Sequence, residues 1–157
     1  MKFQVFDLIK DTNKVDLDDI CSCWRWCLND MKAIALITCL GDLFFIGKDQ
    51  CVYWLQTDKC QFSKVTDNFD QFEHLINNEK FEEWLQPQLV EKLIKDGKVL
   101  KENEVYSYLI NPSLGGEYSV ENIEPCDMSV HFAFSGQICE QIKDLPGGTK
   151  VNIKLEG

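Results

Sequence analysis

A series of four short β-type segments between residues 33 and 65 limits the fold more than any other feature of the sequence. The segments "AIALITCL", "LFFIG", "CVYWLQT" and "QFSKV" are rich in β-branched and aromatic residues, and the clusters "GD", "KDQ" and "TDKC" separate them. Connections this short join neighbouring strands in antiparallel order. The sequence therefore predicts an antiparallel meander of about four strands.

Helical patterns lie on both sides of this meander. Residues 16–31 carry apolar side chains at intervals of three and four after a run of carboxylates, which predicts an amphipathic helix. Residues 67–78 and 79–96 show the same periodicity, and we expect Pro87 to divide the second of these helices and Gly97 to end it.

The last third of the chain predicts one more strand and one more helix. A short extended segment is expected at Val120–Glu124, followed by a helix that Asp127 or Ser129 caps and that Pro146 ends. The start of this region, residues 129–134, also fits a strand. With no internal repeat or linker, the 157 residues predict a single α+β domain with helices packed on the sheet.

The charge of the chain bears on its partners. It has 26 acidic and 16 basic residues, a net charge of −10. Proteins that bind nucleic acid need a clustered positive surface, so we expect no nucleic-acid ligand. An acidic surface instead favours association with a basic protein, such as the cationic groove of a nuclease.

The cysteines and the apolar segments predict a protein of a reducing compartment. The opening "MKFQVFDLIK" lacks the features of a secretion signal, and no apolar run approaches the roughly 20 residues that span a bilayer. We therefore expect a cytoplasmic protein without membrane association. Its eight cysteines include no C-x-x-C pair, so they are predicted to be free thiols that hold no metal.

The motifs of common catalytic sites are absent from the sequence. The stretch "FSGQ" lacks the first glycine of a G-x-S-x-G elbow, and His74 lies in an ordinary helical pattern. His131 and Cys139 are eight residues apart, which on one helix would be too far for a hydrogen bond. We therefore expect no enzymatic activity, no catalytic residues and no cofactor.

The stretch "NPSLGGEYSVENIEP" is the most unusual segment of the chain. It matches neither phosphate-binding glycine motif, and Glu117 beside the glycines would repel phosphate. Pro112 and the glycines instead predict a rigid, sharply reversing loop, and tyrosines beside it suit a protein-contact surface. The predicted partner-binding residues are Glu104, Tyr106, Tyr108, Gly115, Gly116, Glu117 and Tyr118.

Three stretches of the chain resemble a known protein family. They are "CLGDLFFIGKDQCVYWLQT", "WLQPQLVEKLIKDGKVL" and "NEVYSYLINPSLGGEYSVENIEPCDMSVHFAFSGQICEQIKDLPGGTKV". Together they look like the C-terminal domain of type VI secretion immunity proteins, which is allied to the SUKH-type, cell-wall-regulator-like immunity fold. The resemblance covers about residues 35–151, and its most specific part is the run from Val105 to Thr149.

The resemblance implies a SUKH-like α+β fold and a bacterial, cytoplasmic, non-enzymatic protein that neutralises a toxin by binding it. Within the single domain 1–157, it divides the chain into an N-terminal helical segment, 1–32, and an immunity-protein-like core, 33–151. The alternative is a regulatory or scaffold module of the same fold that binds another protein. The sequence leaves the oligomeric state open.

Overall fold

The computed structural model describes residues 1–156, in which seven strands and five helices are present. The strands are β1 (Ile9–Lys10), β2 (Met31–Thr38), β3 (Leu43–Gly47), β4 (Val52–Gln56), β5 (Gln61–Thr66), β6 (Glu104–Tyr108) and β7 (Ile123–Asp127). The helices are α1 (Leu17–Cys21), α2 (Phe69–Ile76), α3 (Phe81–Leu85), α4 (Pro87–Lys95) and α5 (Met128–Ile142). The α+β prediction is confirmed.

The predicted meander forms the main sheet. Strands β2 to β5 pair antiparallel in chain order, as the sequence indicates, and the two-residue strand β1 adds a fifth member beside β2. The prediction missed β1 because two residues are too few to show an alternating pattern.

Apolar side chains fill both faces of this sheet. Along β3, Phe44 belongs to one buried cluster with Trp54 and Trp84, while its neighbours Leu43 and Phe45 belong to the other. Successive side chains of a strand point to opposite faces, so both faces of β3 are buried. The first cluster contains residues of α2, α3 and α4, and the second contains residues of α1 and α5. The sheet is therefore the middle layer of three.

The helix predicted over residues 16–31 is shorter than expected. Asp16 caps α1 by accepting hydrogen bonds from the backbone of the first turn, but α1 ends at Cys21 and continues only as a 3₁₀ turn, Ser22–Trp24. The indole of Trp24 donates to the carbonyl of Phe132 at 2.9 Å, and Met31 already begins β2. The apolar periodicity of the sequence continues to Met31, but the packing of Trp24 against α5 ends the helix earlier, at Cys21.

The helices after the sheet agree with the prediction. Asn68 caps α2, and the broken third helix is the pair α3 and α4. Gln86 joins them with a left-handed φ of +45° and Pro87 starts α4, where a missing N–H costs nothing.

A separate two-stranded hairpin follows. The extended segment expected at Val120–Glu124 is a 3₁₀ turn over Val120–Asn122 and only then β7, which pairs with β6. The strand β6 was not predicted from the sequence. After β7, Asp127 caps α5 as expected, and residues 129–134 are helical rather than extended.

Candidate protein-binding site

The residues predicted to contact a partner lie on β6 and on the loop that joins it to β7. Glu104 and Tyr106 lie within β6, whose last residue is Tyr108. The remaining four residues, Gly115 to Tyr118, lie in the loop. We name residues 109–122 the hairpin loop.

Side-chain hydrogen bonds fix the shape of the hairpin loop. The amide of Asn122 donates to the carbonyls of Ile110 and Glu117, both at 2.9 Å, and its oxygen accepts from the Ile110 N–H at 3.0 Å. Asn111 donates to the Thr57 carbonyl at 3.1 Å, and Ser113 donates to the Asp58 carbonyl at 2.7 Å. The loop is thus bonded across its own base and to the turn that follows β4.

The two glycines of the loop have different structural roles. Gly115 ends a 3₁₀ turn over Pro112–Leu114 with φ +92°, a conformation that side chains disfavour. Gly116 lies against the backbone, because a Cβ atom built there would be 1.8 Å from the Ile110 carbonyl oxygen. The sharp, rigid reversal expected from the sequence is what the structure contains.

The three tyrosines of the prediction differ in exposure. Tyr106 is only 2% exposed, and its hydroxyl donates to the Lys98 carbonyl, so this side chain is part of the core and is not available to a partner. Tyr108 is half-buried and meets Tyr118 edge-on at 5.5 Å between ring centroids. Tyr118 is 62% exposed. Partial burial, followed by the neighbouring charge of Asp58, raises the pKa of Tyr118 to about 12.

The acidic residues of the prediction also occupy different positions. Glu117 is exposed on the hairpin loop. Glu104 is half-buried, and its carboxylate accepts the Lys101 N–H at 2.9 Å, which holds the start of β6. Glu104 is therefore engaged with its own chain, whereas Glu117 is presented at the surface.

A cleft of about 620 Å³ opens beside Tyr118. Carboxylates from two parts of the chain line it, Asp58 after β4 and Glu82 and Glu83 on α3, and Trp54 lies among its lining residues. We name this feature the acidic cleft. With Asp42, four acidic side chains line the cleft against one cation, Lys59, so the cleft has the electrostatic character that attracts a basic group.

Asp42 also lines the acidic cleft and is 7% exposed. Its carboxylate accepts hydrogen bonds from the Trp54 indole at 3.1 Å and the Thr57 backbone at 3.2 Å. Burial, and then the charge of Asp58, raises the pKa of Asp42 to about 7, although the hydrogen bonds act in the opposite direction. Asp42 therefore fixes the position of β4 and the turn that carries Asp58.

Residues 66–139 match the family described as T6SS immunity protein Tdi1, C-terminal. The match supports the suspected family resemblance over this part of the chain. It extends from the end of β5 into α5 and includes the whole hairpin loop, together with Glu82, Glu83 and Tyr118 of the acidic cleft.

One solved structure supports the fold. It carries the description "Crystal structure of Atu4351 from Agrobacterium tumefaciens", with 20% sequence identity and a TM-score of 0.51. The alignment covers 76% of this chain and 63% of that chain, which is less than two thirds of that protein. A likeness at this identity concerns the fold alone. No curated protein matches this sequence.

His131 lies behind the hairpin and joins three parts of the fold. Its Nε2–H donates to the Gly41 carbonyl at 2.8 Å, and its Nδ1 accepts from the Ser107 hydroxyl at 2.7 Å. This arrangement resembles the serine–histidine pair of hydrolases, but burial lowers the pKa of His131 to about 4, which makes the imidazole a weak base. We therefore interpret these hydrogen bonds as structural: they connect α5 to β6 and to the β2–β3 turn, and His131 is a poor general base.

The cysteines do not all follow the prediction. Cys60 and Cys139 form a disulfide, with Cα atoms 5.1 Å apart, so the expectation that all eight are free thiols is wrong for this pair. The two residues are 79 apart in sequence, and their proximity depends on how α5 packs against the β4–β5 turn. Cys139 is both buried and bonded, so its sulfur is not available as a nucleophile.

Across residues 1–156, no group of three or more histidine, cysteine, aspartate or glutamate side chains has an arrangement that could hold a metal ion. Within the same described part of the chain, no helix has the length and apolar character needed to cross a membrane.

Asp42 and Asp58 were not predicted as members of the site. Glu82 and Glu83 were not predicted as members of the site either. The available signal was the position of Asp58, directly after β4 in a tight turn, but nothing in the sequence shows that this turn and α3 meet at one cleft.

Proposed function

We propose that this protein is a non-enzymatic bacterial immunity protein that binds and neutralises a cognate secreted toxin. The observation that carries the proposal is the family match over residues 66–139. That match covers the segment in which a rigid loop presents Tyr118 and Glu117 beside the acidic cleft.

The proposed contact surface consists of the hairpin loop and the acidic cleft. Tyr118 supplies a large aromatic contact at low entropic cost, because the loop is held before binding. Asp58, Glu82 and Glu83 supply negative charge next to it. The complementary partner is a basic protein surface, and a nuclease with a cationic substrate groove fits this description. Such a toxin acts on nucleic acid, which places the proposed binding in the cytoplasm.

Co-expression tests the proposal directly. The gene beside the coding sequence of this protein is expressed in a bacterial host alone and together with it. Protection from growth arrest and co-purification of the two chains are the expected results. If no neighbouring gene is toxic, or if a toxic product is neither neutralised nor co-purified, the immunity proposal fails.

Charge reversal locates the surface. Asp58→Lys with Glu82→Lys should weaken toxin binding by at least tenfold and flatten its dependence on salt, because complementary charges accelerate association. Glu140→Lys with Asp144→Lys is the matched control, since both residues are exposed near the end of α5, which packs on the opposite face of the sheet. Equal loss in the control variant would remove the acidic cleft from the interface.

Tyr118→Ala tests the aromatic part of the same surface. A central aromatic anchor should reduce affinity by at least tenfold when it is truncated, with the larger change in the dissociation rate. Phe69→Ala is a control of similar type, because Phe69 is also a partly exposed aromatic residue, 40% exposed on α2. Unchanged toxin affinity of Tyr118→Ala would exclude the hairpin loop as the anchor.

A further inference from the structure

The chain after α5 turns back and lies along this helix. We name residues 151–156 the strap. The amide of Gln141 donates to the Lys154 carbonyl at 2.9 Å and accepts from the Lys154 N–H at 3.1 Å. The amide of Gln137 does the same with Glu156, at 2.8 Å and 2.7 Å. Each glutamine therefore pairs with both backbone groups of one strap residue.

The spacing of the two glutamines fits an extended chain. Residues four apart on an α-helix are separated by about 6 Å along the axis. Residues two apart on a strand are separated by roughly 6.6–6.8 Å and present their N–H and C=O groups on the same side. Gln137 and Gln141 thus match Glu156 and Lys154 in register. Because the two glutamine amides bind only backbone atoms of the strap, they can bind the backbone of other extended segments equally well.

Leu155 lies between Lys154 and Glu156, the two residues bonded to the glutamines, and it lines a cavity of about 310 Å³. Val130, Phe134 and Ile138 line it from α5, and Leu109 lines it from the hairpin loop. We name this cavity, together with the two glutamine amides, the α5 groove. The α5 groove therefore offers two glutamine amides that bind backbone groups and, between them, a cavity that accepts one apolar side chain.

The strap is held weakly in the α5 groove. All four of its hydrogen bonds to glutamine are solvent-exposed, and Leu155 remains 44% exposed. Exposed hydrogen bonds give little net stability, while ordering an extended segment has an entropic cost. The connection to α5 runs through Gly147 and Gly148, whose Cβ positions face open space. The strap can therefore leave the groove without disturbing the core.

We propose that the α5 groove is a binding site for an extended segment of a partner protein, and that the strap occupies it until such a segment displaces it. The partner segment would place an apolar side chain where Leu155 lies and would give its backbone to Gln137 and Gln141. This proposal goes beyond the proposed function, since it does not require the partner to be a toxin.

The probe is a fluorescein-labelled peptide with the sequence of residues 150–156, KVNIKLE, whose binding to the full chain is measured by fluorescence anisotropy. In the variant Leu155→Asp the strap loses its apolar contact with the α5 groove and competes less strongly, so we expect the peptide to bind at least tenfold more tightly than to the unmodified protein. Equal affinity for the two proteins would contradict a competing strap.

Two substitutions test the glutamine contacts. Adding Gln137→Glu and Gln141→Glu to Leu155→Asp should reduce peptide affinity at least tenfold, because a carboxylate cannot donate to the backbone carbonyls. Gln88→Glu, at an exposed position on α4, is the matched control and should leave affinity unchanged. Retained binding in the triple variant would overturn the assignment of the groove.

A modified peptide tests the same contacts with an unaltered protein fold. Methylation of the peptide nitrogen that corresponds to Lys154 removes one backbone donor and should weaken binding to Leu155→Asp several-fold. Binding that does not change would exclude backbone recognition. Because no toxin is present in this assay, its failure leaves the immunity proposal standing, and failure of the co-expression test leaves the α5 groove standing.

Discussion

Two glycine pairs in this chain have the same sequence and opposite surroundings. In Gly115–Gly116 and in Gly147–Gly148, one residue has a left-handed backbone, with φ +92° at Gly115 and +84° at Gly148. A Cβ at Gly116 would lie 1.8 Å from a carbonyl oxygen, whereas Cβ atoms at the second pair would meet nothing within 4 Å. The first pair therefore holds the backbone of the hairpin loop in one conformation. The second pair, Gly147–Gly148, is unconstrained by neighbours, and we name it the joint between α5 and the strap.

Gly116→Ala should have the largest effect of the substitutions in the loop and the joint. Its Cβ would collide with the Ile110 carbonyl, and overpacking against backbone costs about 3 kcal/mol of unfolding free energy. Urea denaturation measures this loss, with Gly147→Ala as the control. A loss of unfolding free energy no larger than that of Gly147→Ala would mean that the backbone of the hairpin loop can adjust as easily as that of the joint.

Asn122→Ala should follow, with a loss of about 1.5 kcal/mol, because three exposed hydrogen bonds across the base of the loop disappear and each contributes about 0.5 kcal/mol. Hydrogen exchange should show faster exchange at the Ile110 amide and no change at the Lys154 amide in the strap. Equal acceleration at both amides would show that the loop and the strap open together.

The pH dependence of stability distinguishes the same two regions. Asp42 and His131 both contact Thr57, to which the hairpin loop is bonded. His131, with its pKa lowered to about 4, contributes stability that is lost as pH falls from its ordinary value of 6.5. Asp42, with its pKa raised to about 7, contributes stability that is lost as pH rises from 3.8. Between pH 4 and pH 6.5 these two dependences oppose each other.

Asp42→Asn should therefore expose the contribution of His131. Relative to the unmodified protein, the variant should lose about 1.4 kcal/mol of stability for each unit of acidification between pH 6.5 and pH 4. Urea denaturation at several pH values measures the difference. Parallel pH profiles for the two proteins would contradict the raised pKa of Asp42. The protection factors of the strap amides, which correct for the intrinsic pH dependence of exchange, should show no such response.

Gly115→Ala and Gly148→Ala form a matched pair, because both replace a glycine with positive φ. Alanine at Gly115 should cost about 1 kcal/mol, since the bonded loop holds that backbone conformation. Alanine at Gly148 should cost less than about 0.5 kcal/mol, since the open joint can change its backbone angles. Thermal unfolding of both variants gives the comparison, and equal losses would contradict a free joint.

Gly147→Ala should have the smallest effect. It has neither a positive φ nor a neighbour within 4 Å, so its unfolding free energy should stay within about 0.5 kcal/mol of the unmodified protein. A larger loss, measured by urea denaturation, would show that the joint is packed.

The sequence predicted elements whose signal is local. The strands β2 to β5 alternate with tight turns, and Pro87 divides the helical pattern where α3 meets α4. It missed β6, because this strand pairs with β7 across a loop of fourteen residues rather than across a short turn. The helix predicted over 16–31 was too long because the burial of Trp24 against α5 is a long-range contact.

In the candidate site, too, the features with a local sequence signal were predicted and those that depend on packing were not. The hairpin loop was predicted from its proline and glycines, and Tyr118 and Glu117 are exposed on it as the prediction requires. Tyr106 was assigned to the same surface, yet it is buried, because its position within β6 points its side chain into the core. Exposure depends on which face of a strand is covered, and one short strand does not reveal this.

By itself, the sequence determined the order of strands β2 to β5, the division of the helical pattern at Pro87, the acidic charge and the reversal at Gly115–Gly116. Each of these depends on residues that are close in the chain. The tertiary structure alone decided that Asp58 meets α3 at one cleft, that Cys60 reaches Cys139, and that the strap lies on α5. These features join residues far apart in sequence, and only the packing of the layers brings such residues together.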